Sequence, residues 1–129
     1  MATLFSRIVS GEIPCHRVAE NEKFLAFLDI SPLQKGHTLV IPKQEVDNIF
    51  DLDDKSLGEM MVFAKSISHH IKQNFHCKKV GVAVIGLEVP HAHIHLIPIN
   101  KMSDMDFSQP KLRLSAEELE AIALKLRGQ

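Results

Sequence analysis

The first third of the chain alternates short apolar runs with polar and turn-forming residues. Residues 3–13 are semi-apolar and predict a short helix that turns into a loop near Gly11 and Pro14. Apolar side chains then alternate in three runs that end at polar residues or proline, a pattern typical of β-strands. These runs are residues 15–19, 24–29 and 37–41. Their short connections favour antiparallel pairing, since parallel neighbours need longer crossovers.

From Asp53 onward the apolar period lengthens to three or four residues, which indicates an amphipathic helix of about six turns. Asp53 itself has the carboxylate acceptor that an N-cap needs. Two further strands are predicted at 79–85 and 91–97. A last helix is predicted at 115–127, and the capping-box pattern of Ser115 and Glu118 marks its start. The apolar positions that set the period of the first long helix are Leu57, Met60, Met61, Ala64, Ile67, Ile71 and Phe75.

The succession of strands, helix, strands and helix predicts an α+β fold. We expect a five-stranded, mainly antiparallel sheet with helices on one face, in a single domain that covers residues 1–129. The length of 129 residues suits one domain. A hydrophobic fraction of 45% with 24% charged residues is that of an ordinary globular protein.

Charge and cysteine content narrow the classes of partner. A net charge of −1 argues against a broad nucleic-acid surface, which needs a basic excess to neutralise phosphates. Cys15 and Cys77 are too few for a disulfide framework and lack metal-site spacing. No signal-peptide pattern is visible, and no apolar run approaches the roughly 18 residues that span a bilayer. We therefore expect a cytoplasmic protein with no membrane partner and no nucleic-acid partner.

The stretch His91-Ala-His-Ile-His95 alternates histidine with apolar side chains. In a strand, successive side chains point to opposite faces, so the three imidazoles would share one face. Neighbouring positive charges repel, so the titrations would be coupled and at least one imidazole would stay neutral near pH 7. A neutral imidazole is both a nucleophile and a proton carrier.

Three interpretations of this histidine run are open. One is a polar sheet face that happens to carry histidine. Another is a metal site, in which two histidines at i and i+2 bind one zinc and His37 or Glu88 adds a ligand. The outer pair, about 13 Å apart at the strand rise, is too distant to bind the same ion. The third is phosphoryl chemistry, in which the middle imidazole attacks phosphorus and the flanking ones orient it and donate to phosphate oxygens.

The histidine run belongs to an ordered set of segments that resembles the HIT (histidine triad) family of nucleotide hydrolases and transferases, most of all its Hint-like branch. The other matching segments are residues 8–14, 24–32 and 35–43. Together they span residues 5–98, about three quarters of the chain. The resemblance implies a homodimer whose sheet continues across both subunits.

The resemblance assigns chemistry to four histidines. His93 would attack the α-phosphorus and form a nucleotidyl-histidine intermediate, which water then cleaves to release a nucleoside monophosphate. His95 would donate to phosphate oxygens. His91 would brace the site through the backbone, and His37 would orient the imidazoles from the neighbouring strand. This chemistry requires no divalent ion, so we expect no metal and no cofactor.

The resemblance also implies a nucleotide site. Asp29 would accept from ribose hydroxyls, which suits a carboxylate, although a residue before Ser31-Pro32 also caps turns. Glu88 stands in the loop before the histidines, near the expected phosphates. The residues that fall where the family lines its base pocket are Phe5, Ile8, Ile13, Phe27 and Ile30. Core packing would explain the apolar character of these five equally well.

Departures from the family pattern bear on the metal and the substrate. Thr3 and Ser6 stand where many members carry the paired cysteines of a zinc site, so we expect no structural zinc. The stretch of residues 80–90 lacks the asparagine found in relatives and includes a shortened loop before the histidines. Leu87 replaces a glutamine that is common in dinucleoside polyphosphate hydrolases, and the carboxylate of Glu88 would repel a multiply charged tail.

These features favour a hydrolase of purine nucleoside phosphoramidates or related nucleoside monophosphate conjugates, the purine being implied by the family alone. Two alternatives are a nucleotide-binding or scaffold protein with weak catalysis, and a nucleotidyl transferase that uses an acceptor other than water. The sequence shows no acceptor site that would separate the transferase from the hydrolase.

Overall fold

An antiparallel sheet with three α-helices makes up the fold of residues 2–128, the part of the chain that the computed structural model describes. The strands are β1 (Arg17–Glu20), β2 (Phe24–Leu28), β3 (Thr38–Pro42), β4 (Lys79–Ala83) and β5 (Ile94–Ile99). The helices are α1 (Leu4–Val9), α2 (Asp54–Asn74) and α3 (Ala116–Leu126), with short 3₁₀ helices at Ile49–Asp51 and Met102–Met105. The strand order is β1-β2-β3-β5-β4, and every neighbouring pair is antiparallel, which confirms the predicted sheet.

Both long helices begin at the side-chain caps that the sequence predicts. The carboxylate of Asp53 accepts from the Ser56 N–H at 2.6 Å and so satisfies one of the unpaired donors in the first turn of α2. Ser115 and Glu118 form a reciprocal capping box at the start of α3. The stripe that α2 buries consists of Met60, Ala64, Ile67 and Ile71.

The two faces of the sheet pack against different helices. The face towards α2 and α3 presents Phe24, Ala26, Leu28, Val40, Ile94 and Leu96. The opposite face presents Leu25, Phe27, Leu39 and Ile41, which pack with Phe5 of α1. The two long helices therefore share one face, as predicted, and the short α1 packs on the other. Because α1 has only 6 residues, it leaves room on this second face for a pocket.

The histidine run enters its strand later than the alternation predicts. β5 begins at Ile94, not at His91. The reason lies in the backbone, since the N–H groups of His91 and Ala92 donate to the carbonyls of Val89 and Val46 and not to a neighbouring strand. The alternation of faces nevertheless persists, because Ala92 packs in the core beneath the long helices.

The other strand limits differ from the prediction by at most two residues, and two of them bear on the pocket. β4 ends at Ala83, opposite His95, and Gly86 then turns the chain with a φ of 70°. β1 begins at Arg17, so Cys15 precedes the strand and lines the pocket. No helix within residues 2–128 is both long enough and apolar enough to cross a bilayer.

Candidate active site

A cavity of about 480 Å³ opens on the α1 side of the sheet. Three of the four predicted catalytic histidines line it, namely His37, His93 and His95. All seven predicted nucleotide-site residues line it too: Phe5, Ile8, Ile13, Phe27, Asp29, Ile30 and Glu88. The fold thus gathers around one pocket residues that are up to 90 positions apart in the chain.

His93 is held in one tautomer by its own backbone neighbourhood. Its Nδ1 lies 2.7 Å from the carbonyl oxygen of His91. A carbonyl only accepts, so Nδ1 carries the proton and Nε2 is left with its lone pair. Burial lowers the pKa of His93, and the bond to the His91 carbonyl opposes that shift in part. The result is a neutral, oriented imidazole with an unprotonated nitrogen in the pocket wall, which is what nucleophilic attack requires.

His95 has the opposite tautomer, which a relay of two hydrogen bonds sets. The Leu33 N–H donates to Nδ1 of His37 at 3.1 Å, so His37 carries its proton on Nε2. That Nε2 lies 2.9 Å from Nδ1 of His95 and donates to it. The proton of His95 is therefore on Nε2. This Nε2–H of His95 is available to an acceptor such as a phosphate oxygen.

Burial keeps both members of this relay neutral. It lowers the pKa of His37 to about 3, with a smaller contribution from repulsion by His95. It lowers the pKa of His95 to about 4, with a smaller contribution from repulsion by His93. The pocket therefore presents hydrogen-bond donors and a lone pair from its histidines at neutral pH, with little positive charge from His37 and His95.

His91 lies behind the pocket wall and is completely buried. Its Nε2 donates to the carbonyl of Pro42 at 2.8 Å, and its Nδ1 lies 2.8 Å from the hydroxyl oxygen of Thr3. Its contact with the neighbouring imidazole is made by the backbone carbonyl, not by the ring. This placement agrees with the expectation that His91 acts through the backbone, and its role in catalysis stays a prediction.

Phe5 joins the apolar part of the pocket to the nucleophile. Its ring meets His93 edge-on, with centroids 4.9 Å apart and planes at 89°. It meets Phe27 in the same manner at 5.5 Å. Phe5 and Phe27 thus belong both to the core and to the pocket wall, so core packing and pocket lining both explain why these residues are apolar.

Asp29 combines the two roles that the sequence leaves open. Its Oδ1 accepts from the Ser31 N–H at 2.8 Å and caps the turn that follows β2. Its Oδ2 lies 3.6 Å from His37 Nε2, outside hydrogen-bonding distance. Burial raises the pKa of Asp29. The Ser31 N–H, His93 and Lys111 oppose this rise in part, and Glu88 adds to it. One carboxylate oxygen thus holds the turn, and the other can accept from a ligand.

Sequence reasoning missed two residues of the pocket that come from the segment after β5. Phe107 meets His95 edge-on with ring centroids 4.8 Å apart, and Lys111 lines the cavity. The Lys111 amine donates to the backbone carbonyls of Phe107 and Gln109. An isolated aromatic and a lone lysine in an irregular polar segment carry no sequence signal, because only the tertiary fold brings this segment over the imidazoles.

Two possible metal sites do not fit the residues present. Within residues 2–128, Asp29, His37 and His95 offer ligand atoms within 4.8 Å of one another. Two nitrogens on a tetrahedral zinc would stand about 3.3 Å apart for bonds near 2.05 Å, whereas the two imidazole nitrogens share a proton at 2.9 Å. At the N-terminus, Thr3 and Ser6 present neutral hydroxyls in place of zinc-binding thiolates, and these hydroxyls bind the nearby Nδ1 of His91 and Oε1 of Glu45.

Comparison with known proteins settles the family. The model of the HIT domain matches residues 10–102. The chain belongs to the HIT family. The matched span contains the whole sheet and the histidine triad, whereas Thr3, Phe5, Ile8, Phe107 and Lys111 lie outside it.

Individual members of the HIT family are similar to this protein over most of its length. The adenosine 5′-monophosphoramidase hnt1 of Schizosaccharomyces pombe is 35% identical over 124 residues, which cover 95% of this chain and 93% of that protein. The crystal structure of a HIT-like protein from Bartonella henselae superposes with a TM-score of 0.85 at 30% identity, covering 98% of this chain and 94% of that one. A histidine triad nucleotide-binding protein from Sulfolobus tokodaii gives a TM-score of 0.81 at 29% identity, covering 96% and 89%.

Proposed function

We propose that the protein is a nucleotide hydrolase that cleaves purine nucleoside phosphoramidates through a nucleotidyl-histidine intermediate, without a metal. The observation that carries this proposal is the pair of opposed tautomers. His93 keeps a lone pair on Nε2 because its Nδ1–H is bound to the His91 carbonyl. His95 keeps an N–H on Nε2 because its Nδ1 is bound to His37. A nucleophile and an electrophilic donor thus stand side by side, with ring centroids 4.9 Å apart.

The first step is attack of His93 Nε2 on the α-phosphorus. The N–P bond to His93 forms as the P–N bond to the leaving amine breaks, and the amine departs with a proton from solvent. The N–H of His95 donates to a non-bridging phosphate oxygen and stabilises the charge that develops there. In the second step water attacks phosphorus, the bond to His93 breaks, and a nucleoside monophosphate is released. Overall, one water supplies the new oxygen on phosphorus and the proton on the amine.

The nucleotide is held by the rest of the pocket. Asp29 accepts from a ribose hydroxyl through its outer oxygen, and the base packs between the apolar residues of α1 and β2. The named activity of the Schizosaccharomyces pombe relative, which is 35% identical, supports a phosphoramidate substrate. That activity and the name of the Sulfolobus protein both support a nucleotide ligand.

The leaving group is limited by the loop before the histidines. Leu87 is 88% exposed and has no donor for a bridging oxygen, and Glu88 adds a carboxylate at the pocket wall. A polyphosphate tail would meet this negative charge, whereas ammonia or an alkylamine would not. We therefore expect the protein to prefer phosphoramidates over dinucleoside polyphosphates.

The proposal includes a homodimer in which the sheet continues across two subunits. Within residues 2–128, β4 has β5 as its sole strand neighbour, so its outer edge has unpaired N–H and C=O groups. Val82 of β4 is 52% exposed, and Val84 and Ile85, which directly follow the strand, are 43% and 49% exposed. An open edge with apolar side chains is suited to pairing with another strand, and antiparallel pairing of two copies of β4 satisfies both edges.

The leaving-group preference gives a test of the proposed function. Turnover of adenosine 5′-phosphoramidate should exceed that of a diadenosine polyphosphate, measured with the same enzyme preparation. Glu88→Gln should raise the turnover of the diadenosine polyphosphate and so reduce the difference between the two substrates. Glu22→Gln, at an exposed site in the turn between β1 and β2, is the matched control and should leave it unchanged. Faster turnover of the diadenosine substrate by the unaltered protein would refute the phosphoramidase assignment. Tight binding of nucleoside monophosphate with no turnover of either substrate would favour a nucleotide-binding protein.

A further inference from the structure

A hydrogen bond joins the first turn of α1 to the histidine that lies behind the nucleophile. The Thr3 hydroxyl oxygen is 2.8 Å from Nδ1 of His91, across 88 positions of the chain. Thr3 is itself fixed by Glu45, whose carboxylate oxygen accepts from the Thr3 N–H at 2.8 Å. The same oxygen accepts from the hydroxyl of Ser6, also at 2.8 Å. These hydrogen bonds link the start of α1 to Glu45 in the loop after β3 and to His91 of the histidine run.

The direction of the bond between Thr3 and His91 follows from the other partners. His91 Nε2 faces the carbonyl of Pro42, which only accepts, so this nitrogen carries the proton. Nδ1 is then an acceptor, and the Thr3 hydroxyl must donate to it. The hydroxyl oxygen in turn accepts from the Ser6 N–H at 3.0 Å, as an N-cap does. This arrangement of protons satisfies both ring nitrogens of His91 and the hydroxyl of Thr3.

We propose that Thr3 is a positioning residue for the reaction: its hydroxyl fixes the ring and tautomer of His91, and the carbonyl of His91 then fixes the tautomer and aim of His93. This inference rests on the proposed function. Two hydrogen bonds connect Thr3 to His93. Thr3 bonds to the ring of His91, and the carbonyl of His91 accepts from Nδ1 of His93.

Two features separate this role from simple helix capping. A cap needs only an acceptor, whereas Thr3 also donates, and it donates to a residue that is 0% exposed. Without that donor the buried Nδ1 of His91 has no partner, which is costly enough to rotate the ring or admit water. Phe5, in the first turn of α1, contacts the rings of both His91 and His93, so a shift of α1 would also move the Phe5 ring that packs against the nucleophile.

The test compares Thr3→Val, which removes the hydroxyl at nearly constant shape, with Thr3→Ser, which restores it. Ser10→Ala is the matched control, because the Ser10 hydroxyl donates to the Arg7 carbonyl at the other end of α1, away from the histidines. Turnover of adenosine 5′-phosphoramidate is measured well below the melting temperature of each variant. We expect Thr3→Val to lower kcat about tenfold or more, as small misplacements of a reacting group do, with KM changed much less. Thr3→Ser and Ser10→Ala should stay close to the unaltered protein.

A second readout does not depend on activity. Nitrogen-15 NMR of the imidazoles should show His93 protonated on Nδ1 in the unaltered protein and in Thr3→Ser, and a mixture of tautomers in Thr3→Val. If the unaltered protein has no phosphoramidase activity but the tautomers respond in this way, the proposed function fails, and the link from the Thr3 hydroxyl to the His93 tautomer stands as a structural one. An unchanged His93 tautomer in Thr3→Val, or equal kcat losses in Thr3→Val and Ser10→Ala, would overturn the positioning role.

Discussion

The Nε2 atom of His37 lies 2.9 Å from Nδ1 of His95, in a buried contact between two neutral imidazoles. The Leu33 N–H fixes the direction of this bond, because it occupies the only other ring nitrogen of His37. The fold therefore decides which nitrogen of His95 carries a proton before any substrate arrives. Such preorganised donors need no rearrangement at the moment of reaction.

Acid should destabilise the protein through this pair. Folding holds the pKa of His37 at about 3 and that of His95 at about 4, whereas both titrate near 6.5 when unfolded. Their stabilising contribution is fully present above about pH 6.5. It is lost as the pH falls towards about 4 for His95 and about 3 for His37, because the unfolded chain then binds protons that the folded chain does not. Near pH 5 the protein should take up about two protons on unfolding because of these two histidines.

The pH dependence of urea unfolding measures this uptake. His37→Asn should be less stable than the unaltered protein at pH 7, and its uptake near pH 5 should be smaller by about one proton. Equal slopes of unfolding free energy against pH in the two proteins would show that His37 is not held neutral by the fold.

Nucleotide binding should protect one of the two cysteines from alkylation. Cys15 is half-buried in the pocket wall, whereas Cys77 is half-buried outside it, beyond the end of α2. Burial raises the pKa of the Cys15 thiol, so labelling is best carried out at mildly alkaline pH. With saturating AMP, mass spectrometry should show slower maleimide labelling of Cys15 and unaltered labelling of Cys77. Equal protection of both, or of neither, would mean that AMP does not fill this pocket.

Charge at the open edge of the sheet should separate the proposed dimer. Val82→Lys places an ammonium on β4 where the partner strand would lie, and it should convert the dimer to a monomer in light scattering. Leu124→Lys, at a 38% exposed position of α3, is the control and should leave the mass unchanged. A monomeric unaltered protein, or a dimer that survives Val82→Lys, would contradict pairing through β4.

The sequence predicted the sheet and the pocket in different ways. Alternation and capping signals gave the strands, both long helices and their caps at Asp53 and Ser115, since these depend on local physics. The gathering of Asp29, His37 and the triad came from the family resemblance. The single-domain organisation and the chemical roles of the site residues stay predictions.

What the sequence did not reveal depends on contacts that are distant in the chain. Phe107 covers His95 only because the segment after β5 folds back over the sheet. At the sequence level Thr3 stood out only as a replacement for a zinc-ligand cysteine, because its bond to His91 joins residues 88 positions apart. The start of β5 at Ile94 was also hidden, because alternation alone does not show that the His91 and Ala92 amides bond outside the sheet.

The most direct test of the account is hydrolysis of adenosine 5′-phosphoramidate by the purified protein beside His93→Ala, with EDTA present throughout. Both proteins should bind AMP, since His93 forms only part of the pocket wall. The account predicts turnover by the unaltered protein and a loss of several orders of magnitude in the variant, as for other nucleophiles. Activity that disappears in EDTA and returns with zinc, or turnover that survives His93→Ala, would contradict metal-free attack by His93.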